Sequence, residues 1–115
     1  MNGEPRTVGK GELTLRVQSA DDGTVVLTMY GALDLASVDL LQEELSGASD
    51  AAAVVIDLEE VTFIDSSGLH MLVRAARRSV DGGPAIRLRR ASVPVRHILD
   101  VAQDPHALKE FLPLT

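Results

Sequence analysis

Residues 54–69 read VVIDLEEVTFIDSSGL, and they are the most informative part of the chain because a predicted buried strand leads here to the start of a helix. Its first part, Val54–Leu58, is an apolar, β-branched run interrupted only by Asp57, which is typical of a strand covered on both faces in a parallel sheet. After Leu69 the apolar residues recur at spacings of three and four, which predicts a one-sided helix over Ser66–Val80. An acid, two hydroxyls and a glycine therefore mark the junction of strand and helix.

The side chains at this junction suit the start of a helix. Either Asp65 or Ser66 is expected to be the N-cap. The first helix amides lack internal acceptors and the helix dipole is positive there, so a phosphate on Ser66 would meet unpaired donors. The same phosphate would lie beside Asp65 and would repel nearby carboxylates. The local chemistry thus allows two interpretations, a plain helix cap and a phosphorylation switch, and by itself it favours the cap.

The other predicted elements alternate along the chain. Before the strand and helix named above come a strand at Leu13–Val17, a strand at Thr24–Tyr30 ended by Gly31, and a helix capped by Ser37 and ended by Ser46-Gly47. After them come a strand at Ala85–Leu88, a helix capped by Ser92, and a last short helix from Asp104. The order β-β-α-β-α-β-α predicts an α/β fold, a small, mostly parallel mixed sheet with helices packed on it. We expect a flexible tail over residues 1–11 and a single domain over residues 12–115.

This topology predicts where a functional site would lie. Asp34 follows the second predicted strand and Ser66 follows the third, and each precedes a helix. The carboxyl ends of neighbouring parallel strands meet at one edge of a sheet, so we expect these two residues to lie close together in space.

Composition restricts the classes of function. The chain has 115 residues, no cysteine and a net charge of -6, so we expect no disulfide, no thiolate metal site and no nucleic acid as main partner. The polar N-terminus and the lack of an apolar run of about 20 residues indicate a cytoplasmic protein without a membrane span. His70, His97 and His106 lack metal-site spacing, and no cofactor is expected. The expected partner is a protein.

The sequence gives little support to enzymatic activity, and we expect none. Ser66 lacks a Gly-x-Ser-x-Gly nucleophile elbow, and no phosphate-binding loop with Lys-Ser/Thr occurs. A Ser-His-Asp site assembled from distant parts of the chain is the enzymatic alternative.

Charge is unevenly distributed, with most acidic residues before residue 70 and most basic residues after it. The basic residues include Arg74, Arg77 and Arg78 on one predicted helix and Arg87, Arg89 and Arg90 around the next strand. They would either steer an acidic partner or simply form solvated faces that pair with the acidic half, and the second interpretation is the simpler.

Two motifs resemble those of a known family. The segment Ile64–Leu69, IDSSGL after a strand, is similar to the signature of STAS domains, specifically of bacterial anti-sigma factor antagonists. Gly31-Ala32-Leu33-Asp34 is similar to the Gly-Glu-Leu-Asp segment of that family, and the separation of the motifs fits. The resemblance covers Leu13 to Val101. It departs from the family at Ala32, where Glu is usual, at His70, where a small residue is common, and at residues 102–105, which lack the usual Thr-Gly-Leu end.

The resemblance implies partner switching in transcription regulation. Ser66 would be the phosphoacceptor, with Ser67 as second choice. The unphosphorylated protein would bind an anti-sigma factor serine kinase of the histidine-kinase-like ATPase fold, and this binding would release a sigma factor. Phosphorylation by the kinase would end the complex. A PP2C-type serine phosphatase would then restore the binding form of the protein. The implied partner-binding residues are Leu33, Asp34, Asp65, Ser66, Ser67, Gly68, Leu69 and His70.

Two alternatives stay open within the family. STAS domains also serve as accessory subunits of membrane ABC transporters, without a phosphorylation cycle, or as scaffold components of signalling assemblies. In addition, His70 places a bulky titratable group one turn into the phosphoacceptor helix, where it would alter kinase choice, block phosphorylation or simply face solvent.

Overall fold

A computed structural model describes residues 4–80 and 82–101 of the chain. Its elements in chain order are β1 Arg6–Lys10, β2 Leu13–Ser19, β3 Thr24–Leu33, α1 Val38–Gly47, β4 Ala53–Ile64, α2 Ser66–Val80, β5 Ala85–Arg89 and α3 Val93–Val101. The α/β class and the alternation of strands and helices after the first hairpin are as predicted. The short helix expected from Asp104 lies outside the described residues.

The five strands form one mixed sheet in the order β1-β2-β3-β4-β5. The pairs β1-β2 and β2-β3 are antiparallel, whereas β3-β4 and β4-β5 are parallel. The sheet is therefore evenly divided between the two kinds of pairing rather than mostly parallel. The difference arises because β1 adds an antiparallel pair at one edge.

Strand β1 occupies residues 6–10 of the segment that was expected to be a flexible tail, and it corrects the expectation for these residues. It pairs along its whole length with β2, with Arg6 opposite Val17 and Lys10 opposite Leu13. Arg6 and Lys10 also form ion pairs with α1, to Glu44 and Asp39 respectively. Nearly all of β1 is exposed, so it lacks the alternation of apolar and polar residues by which a strand is predicted.

Strands β3 and β4 both extend beyond their predicted ends. Gly31 was expected to end β3, but the strand continues to Leu33 through a register shift between Gly31 and Ala32. Gly31 has φ of +95°, and a Cβ on it would lie 2.1 Å from the carbonyl oxygen of Glu12. Only glycine fits this conformation and close approach. The residue therefore lies at an irregularity within the strand instead of ending it.

The core is built mainly from aliphatic side chains of the sheet and the three helices. In β4, Val54, Ile56 and Leu58 point to one face and are fully buried. Helices α1 and α2 pack against each other, and α3 packs on β4. The largest fully buried side chains are Leu13, Leu15, Leu27, Met29, Leu33, Leu41, Ile56, Leu58, Met71, Leu72 and Leu88.

Asp57, the one charged residue in the apolar run of β4, is also buried. Its carboxylate accepts hydrogen bonds from Arg90, from Arg89 Nε at 3.3 Å and from the backbone N–H of Glu59 at 3.1 Å. Burial raises the pKa of Asp57, but the Arg90 hydrogen bond, the Glu59 amide and the two positive charges outweigh it and hold the pKa below its usual value. This cluster ties the end of β5 to the middle of β4.

Candidate functional site

The loops that follow β3 and β4 lie side by side at the carboxyl edge of the sheet. The backbone N–H of Asp65 donates to the carbonyl oxygen of Leu33 at 3.3 Å. In return, Asp65 Oδ2 accepts the backbone N–H of Leu35 at 3.2 Å. The predicted proximity of the Asp34 and Ser66 segments is thereby confirmed, since hydrogen bonds join the residues next to them.

Asp65 is the N-cap of α2, which decides between the two predicted caps. Its Oδ1 accepts the N–H of Gly68 at 2.9 Å, and its backbone carbonyl accepts the N–H of Leu69 at 3.0 Å. Ser66 is then the first helical residue, and it is exposed. Capping therefore does not account for Ser66, whose hydroxyl lies on the surface beside the cap.

Gly68 brings the first turn of α2 against the end of β3. A Cβ on this residue would lie 2.4 Å from the Leu33 carbonyl oxygen and 2.8 Å from Ile64 Cγ1. Contacts this short do not occur in folded proteins, so any side chain here would push the helix away from the sheet. The glycine of the motif is needed for packing.

The loop after β3 is held by a buried hydroxyl. Ser37 is fully buried, and its Oγ lies 2.9 Å from the carbonyl oxygen of Ala32 and 3.0 Å from Asp34 Oδ1. It also accepts the N–H of Asp34 at 3.0 Å. Ser37 occupies the N-cap position of α1, as predicted, but its hydroxyl fixes the preceding loop rather than the helix amides. Asp34 Oδ1 in turn accepts the N–H of Ala36 at 3.1 Å.

The residues predicted to contact a partner differ in their exposure. Ser66 and His70 are exposed; Asp34, Asp65, Ser67 and Leu69 are half-buried; Leu33 and Gly68 are buried. The Leu33 side chain is 0% exposed and belongs to the core, so the structure corrects its expected role as a contact residue. Its contribution to the site is the backbone carbonyl that accepts Asp65 N–H.

Two apolar residues that were not predicted to belong to the site lie at the surface here. Leu35 is 76% exposed and Phe63 is 52% exposed. With Asp34, Ala36 and Asp65 they line an open depression of about 380 Å³. Phe63 carried a usable signal, because it precedes buried Ile64 in a strand and neighbouring side chains in a strand point to opposite faces. Leu35 carried none, since one apolar residue in a loop has no periodicity.

The described part of the chain offers neither a metal site nor a membrane span. Within residues 4–80 and 82–101, no three His, Cys, Asp or Glu side chains gather as metal ligands. No helix in these ranges is long and apolar enough to cross a membrane. The polar atoms of the site belong to carboxylates, hydroxyls and backbone amides.

Comparison with known proteins agrees with this architecture. The family model of the STAS domain matches residues 17–106. Among solved structures, an anti-sigma factor antagonist from Mycobacterium paratuberculosis is 24% identical with a TM-score of 0.68, over 89% of this chain and 84% of that one. The anti-sigma factor antagonist SpoIIAA in its unphosphorylated form is 20% identical with a TM-score of 0.59, over 84% of this chain and 96% of that one.

A further solved structure is the Bacillus cell fate determinant SpoIIAA in the phosphorylated form. It is 20% identical with a TM-score of 0.66, over 88% of this chain and 90% of that one. A comparison with curated protein sequences found no match. At these identities the solved structures establish a shared fold, and the family model, which spans most of the chain, establishes the family. The chain belongs to the STAS domain family.

Proposed function

We propose that this STAS domain is an anti-sigma factor antagonist whose binding to a protein partner is controlled by phosphorylation of Ser66. The observation that carries the proposal is the exposure of Ser66 as the first residue of α2, next to a cap already supplied by Asp65. Its hydroxyl is accessible to a kinase and is not required to hold the helix.

The neighbouring depression supplies the contact surface for the unphosphorylated form. Leu35 and Phe63 are exposed apolar side chains bordered by the carboxylates of Asp34 and Asp65. Apolar anchors surrounded by polar groups are typical of protein interfaces, in which the anchors contribute most of the affinity. A small neutral serine at the border of this surface leaves room for a partner.

Phosphorylation would change both the charge and the volume of this border. A phosphate adds nearly two negative charges, and the first amides of α2 and the positive end of the helix dipole would stabilise it on this chain. The same charge would lie next to Asp65 and would repel any carboxylate that a partner brings to this surface. A partner in close contact would also have to remove water from the phosphate, which costs free energy. The phosphorylated form is therefore expected to release its partner.

The partner in this proposal is an anti-sigma factor serine kinase of the histidine-kinase-like ATPase fold. Its capture by the unphosphorylated domain would free a sigma factor for transcription, and a PP2C-type phosphatase would reverse the phosphorylation. The domain itself performs no chemistry, and the cycle takes place in the cytoplasm. In support, the fold is shared with SpoIIAA, for which both an unphosphorylated and a phosphorylated form are described.

The proposal is tested with wild type, Ser66→Ala and Ser66→Asp as baits in lysate of the native organism, followed by mass spectrometry. Wild type and Ser66→Ala should capture a histidine-kinase-like ATPase, and Ser66→Asp should not. Ser67→Asp tests the second-choice acceptor, because it places the same charge one residue later on a half-buried side chain, and Ser49→Asp, at an exposed serine outside the site, is the matched control. Incubation of the captured kinase with ATP should then phosphorylate wild type at Ser66.

Other outcomes would contradict the proposal. Equal capture of one ATPase by all baits would show that a charge at residue 66 does not control binding. Capture of an ABC transporter ATPase regardless of residue 66 would identify an accessory transporter subunit instead. Loss of binding by Ser67→Asp alone would move the acceptor to Ser67. Thermal unfolding of each bait is the control for folding, and we expect Ser66→Ala to lie within about 0.5 kcal/mol of wild type because the side chain is exposed.

A further inference from the structure

The exposed side of α2 carries a row of cationic and titratable side chains. His70, Arg74 and Arg77 are exposed and recur at spacings of four and three, so they share one face of the helix. The opposite side of α2 is buried through Met71, Leu72, Ala75 and Ala76. Half-buried Val73 lies among the three exposed side chains, and the four residues line an open depression of about 450 Å³.

The arginines of this face differ in their ion pairing from other basic residues that the structure describes. Of the basic residues noted in the second half of the chain, Arg89 and Arg90 pair with buried Asp57, and Arg90 also pairs with Glu59 at 3.0 Å. Within residues 4–80 and 82–101, no ion pair involves Arg74 or Arg77. The structure therefore divides the basic cluster into a part that stabilises the sheet and a part that is available at the surface.

We infer that the face formed by His70, Val73, Arg74 and Arg77 is a docking site for a short acidic segment of the protein partner. Carboxylates of such a segment would pair with the guanidinium groups, which bind carboxylates in a bidentate manner. An apolar side chain between the carboxylates of this segment would cover Val73. The identity of the partner rests on the proposed function, whereas the chemistry of the face does not.

The extent of the face and the charge of the rest of the chain favour a short acidic peptide over a long polyanion. At 1.5 Å per residue, the row from His70 to Arg77 is only about 10 Å long. The whole chain carries a net charge of -6, which repels nucleic acid and anionic membranes beyond this row. A protein segment with a few carboxylates matches both the length and the local sign.

The face is continuous with the Ser66 site. Ser66 precedes His70 by four residues and both are exposed, so the serine lies one helical turn before the row. A partner seated on the depression at Leu35 and Phe63 could therefore extend its acidic segment along α2. A phosphate on Ser66 would stand at the start of this path and would repel the segment, which gives phosphorylation a second means of ending the complex.

The test measures the binding of a fluorescent peptide of alternating glutamate and leucine residues to the whole domain by anisotropy, with NMR to map the contacts. We expect amide shifts over residues 66–77. Arg74→Glu should weaken binding by about fivefold or more, and raising the ionic strength from about 0.02 M to about 0.2 M should weaken binding to wild type. Arg87→Glu is the matched control, because it makes the same change of charge on an exposed residue of β5.

Three results would overturn the inference: no binding of the acidic peptide, equal weakening by Arg74→Glu and Arg87→Glu, or tighter binding of a short RNA at the same face. The peptide assay needs neither a kinase nor a phosphate. Its failure would leave the Ser66 experiment valid, and failure of the Ser66 experiment would leave this assay valid.

Discussion

The carboxylate of Asp65 joins two loops that are distant in the chain, because its Oδ2 accepts the N–H of Leu35 while its Oδ1 caps α2 through the N–H of Gly68. One side chain thus fixes both the start of the helix that carries Ser66 and the loop that carries Leu35. The geometry of the site therefore depends on this carboxylate.

Asp65→Ala should destabilise the domain by about 1–2 kcal/mol, since it removes the cap and the acceptor for Leu35. Asp65→Asn should cost less, because its side-chain carbonyl still accepts one of the two hydrogen bonds. Urea denaturation of the three proteins measures the difference. Equal stability of wild type and Asp65→Ala would show that the two hydrogen bonds contribute nothing.

Gly68→Ala should destabilise the domain by about 1–3 kcal/mol, because the new methyl group would clash with the Leu33 carbonyl and with Ile64. Gly47→Ala is the control, since nothing lies within 4 Å of a Cβ at that helical position. That variant should match wild type or be more stable by about 0.5 kcal/mol. Thermal unfolding of both variants provides the comparison, and similar losses in both would contradict the packing argument.

Phe63→Ser and Leu35→Ser should each reduce capture of the protein partner by about tenfold, because each removes an exposed apolar anchor. Their unfolding temperatures should stay close to that of wild type. Val93→Ser is the matched control: Val93 is 79% exposed but does not line the depression. Retention of binding by both site variants, or an equal loss with Val93→Ser, would argue against this surface.

Asp57→Asn should lower the free energy of unfolding at pH 7 by about 2 kcal/mol, since it removes the charge that pairs with Arg89 and Arg90. The pKa of Asp57 is lowered in the folded state, so its ionised form stabilises the fold at neutral pH. That contribution is lost as the pH falls below about 4 and through the folded-state value. The difference between the two proteins should therefore shrink in acid, as denaturation at several pH values would reveal. A difference that stayed constant with pH would contradict the assignment.

Arg90→Gly should be more stable than Arg90→Ala by about 1 kcal/mol. Both variants lose the ion pairs to Asp57 and Glu59, but Arg90 has φ of +54°, which glycine adopts without strain. The same pair of substitutions at Arg89, which lies in strand β5, should give the opposite order, because glycine weakens a strand. Chemical denaturation of the four variants tests this reversal.

Local sequence determined much of the fold. The run Val54–Leu58, the helical spacing after Leu69 and the breaks between them predicted the central strand and the helix that begins at Ser66, because burial imposes a period on apolar residues. The order of elements then predicted that the Asp34 and Ser66 loops would meet at one sheet edge. The periodicity of each element depends on residues close together in the chain, and the position of the two loops depends on the order of the elements, so both can be predicted from the sequence.

Other features depend on contacts between residues that are distant in the chain. Strand β1 is exposed and held by pairing with β2, so no periodicity marks it. Leu33 is buried at the end of β3 whereas Leu35, two residues later in the loop, is exposed, and this difference follows a register shift between Gly31 and Ala32. Asp57 is tolerated inside the strand because Arg89 and Arg90, distant in the chain, fold back onto it. The pattern of residues along the chain was thus enough to predict the elements from β2 to α3 and their order, whereas contacts between residues far apart in the chain fix which side chains form the surface of the site.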